Sequence, residues 1–170
     1  VHDRNEEFGK LIEETSSVLD IDDLTKIAGF GFEDKNIYLN SYVSIVTESV
    51  FFQSKGPDDI FVNFPTGYIS EKVWKPVGHC QPFILVAPAK SLHYLRQLGY
   101  KTFSPYINEV YDTIEDNEQR LLAVVTEVER LSKQTPEEWV AWEKAVASIV
   151  EHNYNVIKNR DLTDYILEMT

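Results

Sequence analysis

Cysteine is almost missing from this chain: Cys80 stands alone among 170 residues. One thiol excludes an internal disulfide and any cysteine-based zinc site, and it suits a reducing compartment. Basic residues are also scarce, with 16 Lys and Arg against 28 Asp and Glu and a net charge of −12. That balance argues against nucleic acid as a partner, because neutralising phosphates takes a cationic face. A small phosphorylated ligand stays open, since it needs only two or three cations in one place. No run approaches the ~20 apolar residues of a membrane span. The amino terminus, Val1-His2-Asp3-Arg4-Asn5-Glu6-Glu7, is charged and has no signal-peptide core. It also lacks an initiator methionine, which suits a trimmed or partial chain. Internal repeats and low-complexity tracts are absent too. These absences together predict a soluble, cytoplasmic protein.

What is present suffices for a core. At 43% apolar and 26% charged the composition is globular, and the length predicts one domain over residues 1–170. Such a chain buries roughly 70% of its unfolded surface, so it needs no covalent staples. Phe8, Leu11, Ile12, Thr15, Val18 and Leu19 predict an amphipathic helix over 5–19, and Gly29-Phe30-Gly31-Phe32 a turn. Residues 41–48 are rich in β-branched side chains and predict a strand. A long loop follows over 53–67, of the kind that is often functional. The Ser70-Glu71-Lys72-Val73-Trp74-Lys75 stretch opens a short helix. Pro82-Phe83-Ile84-Leu85-Val86 is a continuous apolar run, the mark of a strand buried on both faces.

Further along, Ser91 is positioned to cap a helix bearing Leu92, Leu95 and Leu98, which Gly99 ends. Tyr100-Lys101-Thr102-Phe103 predicts a short strand. A helix over 120–133 carries Leu121, Leu122, Val125, Val128 and Leu131 on one face. Thr135-Pro136-Glu137-Glu138 is a capping box with proline at the first helical position. It starts a C-terminal helix over 136–160, striped by Trp139, Trp142, Val146, Ile149, Val150 and Ile157. Strands alternating with helices predict an α/β fold with a mostly parallel sheet covered on both faces. Ligands in such sheets sit beyond the carboxyl ends of the strands.

The residues in that place are Glu48 and the start of the Glu71 helix. A helix start directs free N–H groups and partial positive charge forward, and Lys72 adds a full cation for a diphosphate. Ser70 can cap the helix, and Glu71 can accept hydrogen bonds from ribose or sugar hydroxyls. An ordinary capped surface helix with a Glu71–Lys75 pair would carry the same residues.

The order Tyr42, Ser44-Ile45-Val46-Thr47-Glu48-Ser49, Tyr68-Ile69-Ser70-Glu71-Lys72 and Gln81-Pro82-Phe83-Ile84-Leu85-Val86 resembles the donor, C-terminal half of GT-B glycosyltransferases. It is most similar to the α-1,3-fucosyltransferase-like group and related viral and bacterial proteins. The stretches 91–103 and Tyr111-Asp112-Thr113-Ile114-Glu115-Asp116 extend the likeness, which covers about 40–133. The resemblance implies a single Rossmann-like GT-B half that binds a nucleoside-diphosphate sugar. It implies Lys72 on the phosphates, Glu71 on hydroxyls, and Tyr68, Ser70 and Glu48 in the same pocket, with no resident cofactor or metal. The catalytic residues stay unknown. A complete GT-B enzyme has two such domains, so activity would need a second Rossmann-like domain or a homo-oligomer to present the acceptor. The alternative is a non-catalytic binding or assembly module that retains the fold.

Other motifs are expected to carry no site. Asp20-Ile21-Asp22 is a DxD, a metal-binding pattern elsewhere, but it follows a helix instead of a strand. Asp58 and Asp59 lie in a Gly-Pro loop, where a phosphoacceptor aspartate is not expected. No two of His2, His79, His93 and His152 have metal-ligand spacing on one helix face. Trp74, Trp139 and Trp142 are expected in the core, and Cys80 as a small buried residue. The acidic run 115–118 complements a helix dipole.

Overall fold

The computed structural model describes residues 35–52 and 68–159. The chain divides into two compact units, Val1–Lys35 and Asn36–Thr170, and the described residues lie almost wholly in the second. The helix expected over 5–19, the turn at 29–32, Asp20, Asp22 and the loop over 53–67 lie outside the described residues.

The elements are α1 (Lys35–Leu39), β1 (Ser44–Thr47), α2 (Glu71–Gly78), β2 (Phe83–Val86), α3 (Ser91–Gln97), a 3₁₀ turn (Glu109–Thr113), α4 (Asn117–Ser132) and α5 (Pro136–Asn159). β1 and β2 pair in parallel, with Ser44 opposite Phe83 and Thr47 opposite Val86. Parallel neighbours need a crossover, and α2 lies within it. The described fold is therefore a small α/β unit built on a two-stranded parallel sheet.

β2 matches its apolar sequence. Phe83, Ile84 and Leu85 point alternately to the two faces, and all three are buried. β1 is shorter than the 41–48 expected, because the residues before it are fastened by a side chain instead of a strand. Gln81 Nε2 donates to the carbonyls of Tyr38 and Ser41 and to Ser41 Oγ, while its Oε1 accepts from Ser44 Oγ. On β1, Val46 is buried but Ile45 is 54% exposed, so the sheet is less covered on that strand. α2 packs on α5 and β1, and α4 packs on β2.

Helix ends follow local chemistry in most places. Asp116 caps α4 through the Gln119 N–H at 3.0 Å, as the acidic run suggested. The capping box forms as expected: Thr135 N–H donates to Glu138, and Glu138 N–H to Thr135 Oγ1. Gly99 ends α3 in a left-handed conformation, φ 89°.

Three expectations need correction. Ser91 does not cap α3. Its hydroxyl turns back to donate to the Pro88 carbonyl, and the N–H groups of Leu92 and His93 are taken by the buried Asp112 carboxylate at 2.8 and 3.0 Å. Residues 100–103 form no strand. Their main chain is paired piecemeal: Tyr100 N–H donates to the Leu95 carbonyl and Phe103 N–H to Glu109 Oε1, while Lys101 N–H donates to Asn153 Oδ1 at 2.8 Å and Asn153 Nδ2 donates to the Lys101 carbonyl at 2.9 Å. Cys80 is exposed, not buried, in a left-handed turn after α2. Trp142 is buried as expected, while Trp74 and Trp139 pack partly exposed against the core. Among the described helices, none is long and apolar enough to cross a membrane.

Candidate functional site

α2 begins where Ser70 breaks from extended backbone, with φ −114° and ψ −176°. Ser70 Oγ accepts from the Lys72 N–H at 3.4 Å, so the expected cap forms. What holds Ser70 is Glu48. This residue leaves the end of β1, and its own N–H donates to the Val86 carbonyl at 2.9 Å. Its carboxylate is wholly buried and accepts from Ser70 N–H at 2.8 Å and from Ser70 Oγ. A buried carboxylate needs such donors, and two hydrogen bonds from one residue also orient that residue.

Lys72 compensates the charge. Its ammonium lies 4.0 Å from Glu48 Oε2 and donates to Ser49 Oγ at 3.1 Å, Ser70 Oγ at 3.3 Å and Glu71 Oε1 at 3.4 Å. The Lys72 side chain is 36% exposed, so water and solutes reach it. The Glu71 side chain is more exposed still. Its own backbone N–H holds its carboxyl below the ordinary value, with desolvation opposing and Lys72 adding to the effect. Tyr68 enters from the β2 side, its N–H donating to Ser91 Oγ at 3.1 Å.

The structure therefore brings Glu48, Ser70, Glu71 and Lys72 into one contact cluster at the carboxyl end of the sheet, with Tyr68 tied beside it through Ser91. One part of the expectation changes. The Lys72 N–H at the start of α2 is not free, because Ser70 Oγ takes it. An anion arriving here meets the Lys72 ammonium first. It must displace side-chain oxygens to reach the main chain. Arg96 is engaged elsewhere, with Thr102, Glu109 and Asp112.

Other side chains at this end of the fold were not singled out in the sequence. Ser49 helps hold Lys72, and Asp112 and Arg120 fasten the loops. Two of the missed residues do carry a signal. The buried face of α4 is Arg120, Val124, Glu127 and Leu131, turned from the expected stripe so that Leu122 is exposed. Arg120 falls one turn before Val124 on that face, and Asn153 falls one and two turns after Ile149 and Val146 on the apolar face of α5. A polar group on a buried stripe has a partner to meet. Ser49 and Asp112 carry no such signal.

The histidines play local roles. His79 stacks on Tyr38 with ring centroids 4.1 Å apart, and a ring nitrogen of His152 lies 2.9 Å from the Gly99 carbonyl. Among the described residues, no three His, Cys, Asp or Glu side chains group as a metal site. No protein-family model, curated protein or solved structure matches the chain.

Proposed function

We propose that this chain binds a nucleoside-diphosphate sugar at the carboxyl ends of β1 and β2, as the Rossmann-like donor half of a GT-B glycosyltransferase. The reaction served is transfer of the glycosyl group to an acceptor hydroxyl. The acceptor side comes from a second Rossmann-like domain or another copy of the chain. Lys72 takes the diphosphate and stabilises its charge as it departs, without a metal. Glu71 accepts from ribose or sugar hydroxyls. Glu48 stays beneath, holding Ser70 and orienting Lys72.

The observation that carries this reading is the placement of Lys72. An accessible ammonium, braced by Ser49 and Ser70, stands at the carboxyl end of a parallel βαβ unit, where ligands of open α/β sheets bind. The test is a thermal-shift panel of nucleoside diphosphates and their sugars, guanosine and uridine first. Ligand at ~100 times its dissociation constant stabilises by ~2.7 kcal/mol, which such a scan resolves. Silence across the panel at millimolar ligand removes the reading.

One observation favours a second reading, a non-catalytic binding or assembly module. The cluster sets two carboxylates against one ammonium, and the Lys72 N–H at the start of α2 is already paired. A module that only kept the fold would show such internal closure, and it would give no response to the panel.

A further inference from the structure

Arg120 is the largest fully buried side chain among the described residues, at 1% exposure. A guanidinium has five N–H donors, and here every one has an acceptor. Nε donates to the Ala87 carbonyl at 3.1 Å. Nη1 donates to the carbonyls of Ile114 at 2.9 Å and Glu115 at 3.1 Å. Nη2 donates to the Phe51 carbonyl and to Asn117 Oδ1, both at 2.6 Å. The Phe51 ring lies against the cation, with 4.5 Å from Cζ to its centroid. None of these acceptors is a carboxylate. The charge is balanced at longer range by Asp116 and Asp112, while burial pulls the pKa below its ordinary value.

The acceptors are not scattered. Phe51 lies three residues beyond Glu48 on the segment leaving β1, and Ala87 is the first residue beyond β2. The Ser70–Lys72 start of α2 is suspended between those same two segments. Glu48 holds it from the β1 side through Ser70. Ser91 holds it from the β2 side through the Tyr68 N–H, and Ser91 is itself bonded to Pro88, next to Ala87. The third segment, 112–115, gives its Ile114 and Glu115 carbonyls to Arg120 and its Asp112 carboxylate to the start of α3.

We infer that Arg120 is a positioning residue: one guanidinium fixes the three segments around the carboxyl end of the sheet and so sets where Tyr68, Ser70 and Lys72 stand. The ties are hydrogen bonds of the fold. Their consequence for ligand binding rests on the donor reading above. Arginine suits the task because its planar fork reaches several carbonyls in fixed directions, which a lysine ammonium cannot do.

Arg120→Lys in the full chain keeps the charge and removes the fork. Hydrogen exchange of that variant should be faster by about tenfold in peptides covering 68–73 and 87–93, with peptides from the middle of α5 unchanged within about twofold. Acceleration spread evenly through α5, or none at 68–73, overturns the inference. Should Arg120→Lys fail to fold, Asn117→Ala decides the matter by removing one acceptor of Nη2. It should speed exchange over 48–52 and 68–73 but not in α5, and an α5 effect of equal size overturns the inference. A second readout is the affinity for guanosine or uridine diphosphate, measured well below the melting temperature of both proteins. A merely structural arginine leaves it unchanged, whereas positioning predicts a loss of about tenfold. Should the wild-type chain bind neither nucleotide, the donor reading falls, and the exchange pattern alone upholds or overturns the role of Arg120.

Discussion

Arg120 and Lys72 carry the same charge at the same end of the sheet, and their surroundings divide them by role. Arg120 is sealed, with all five donors on fixed acceptors, four of them main-chain carbonyls. Lys72 is held by hydroxyls and carboxylates at 3.1–4.0 Å and keeps a third of its side chain in solvent. A cation whose donors are all engaged shapes the fold. One whose partners are long, exchangeable and partly wet can trade them for a ligand. Charge type says little here, while the count and exposure of the partners say a great deal.

The largest expected effect breaks the sealed side. Arg120→Met leaves the buried Ala87 carbonyl and the partly buried carbonyls of Phe51 and Ile114 without this donor, a fully buried loss costing about 1–3 kcal/mol before relaxation. We expect a net destabilisation of about 3 kcal/mol or more, read from the denaturant midpoint at constant m-value. A change below ~1 kcal/mol would mean that water replaces the fork readily.

Next comes the open side. Lys72→Ala should weaken a nucleoside diphosphate by about 1.5–3 kcal/mol, roughly ten- to a hundredfold, with little effect on stability. Lys75→Ala, on the exposed face one turn on, should cost far less. Titration calorimetry of both variants decides the matter, and equal losses would reduce Lys72 to a general field effect. Glu71→Gln sharpens the contrast, because it removes a negative charge beside the ammonium together with the acceptor for hydroxyls. It should weaken the sugar nucleotide more than the bare diphosphate.

A third cation lies between these extremes. Arg130 is half exposed, and its fork grips the buried Glu127 carboxylate at 2.6 and 2.8 Å. Burial alone would raise the Glu127 pKa, but the Arg130 fork and the Asn108 N–H outweigh it and hold the carboxyl below its ordinary 4.5. A depressed carboxyl contributes stability that is complete above the unfolded value and is lost as pH falls through the folded one. The wild type should therefore lose, on acidification below about pH 4.5, an increment that Glu127→Gln lacks. Parallel stability curves for the two proteins between pH 3 and 6, about the span of carboxylate titration, would refute the assignment. The smallest expected effect is none: chelator should leave nucleotide binding unchanged, and a loss that magnesium or manganese restores would reverse that expectation.

How much of this was legible in the sequence depended on the range of the interaction. β2, the Ser70 cap, the Thr135 box and the Gly99 stop each rest on neighbours a few residues apart, and each is where the pattern put it. Glu48, Ser70, Glu71 and Lys72 were named from their order along the chain, and the structure brings them into contact. The errors fall where a distant side chain took over a local role. Asp112 reaches back 20 residues to cap α3, and no property of Ser91 could announce that. Tyr100-Lys101-Thr102-Phe103 has the composition of a strand, but its main chain is paired by the end of α3, by Glu109 and by the Asn153 amide on α5. One N–H expected free at α2, that of Lys72, is taken by Ser70 Oγ, whose rotamer composition does not set.

The amide of Asn153 also has a kinetic consequence. A hairpin would order residues 100–103 locally and within microseconds. Here the partner lies 52 residues along the chain, on the last described helix. The Lys101 tie therefore forms only once that loop has closed and α5 has docked, and closing long loops slows folding. Tyr100 and Phe103, buried in the finished core, meet the rings of Trp74 on α2 and Phe83 on β2, so their cover comes from earlier elements. The tie on the Lys101 main chain thus waits on a helix that begins more than 30 residues downstream.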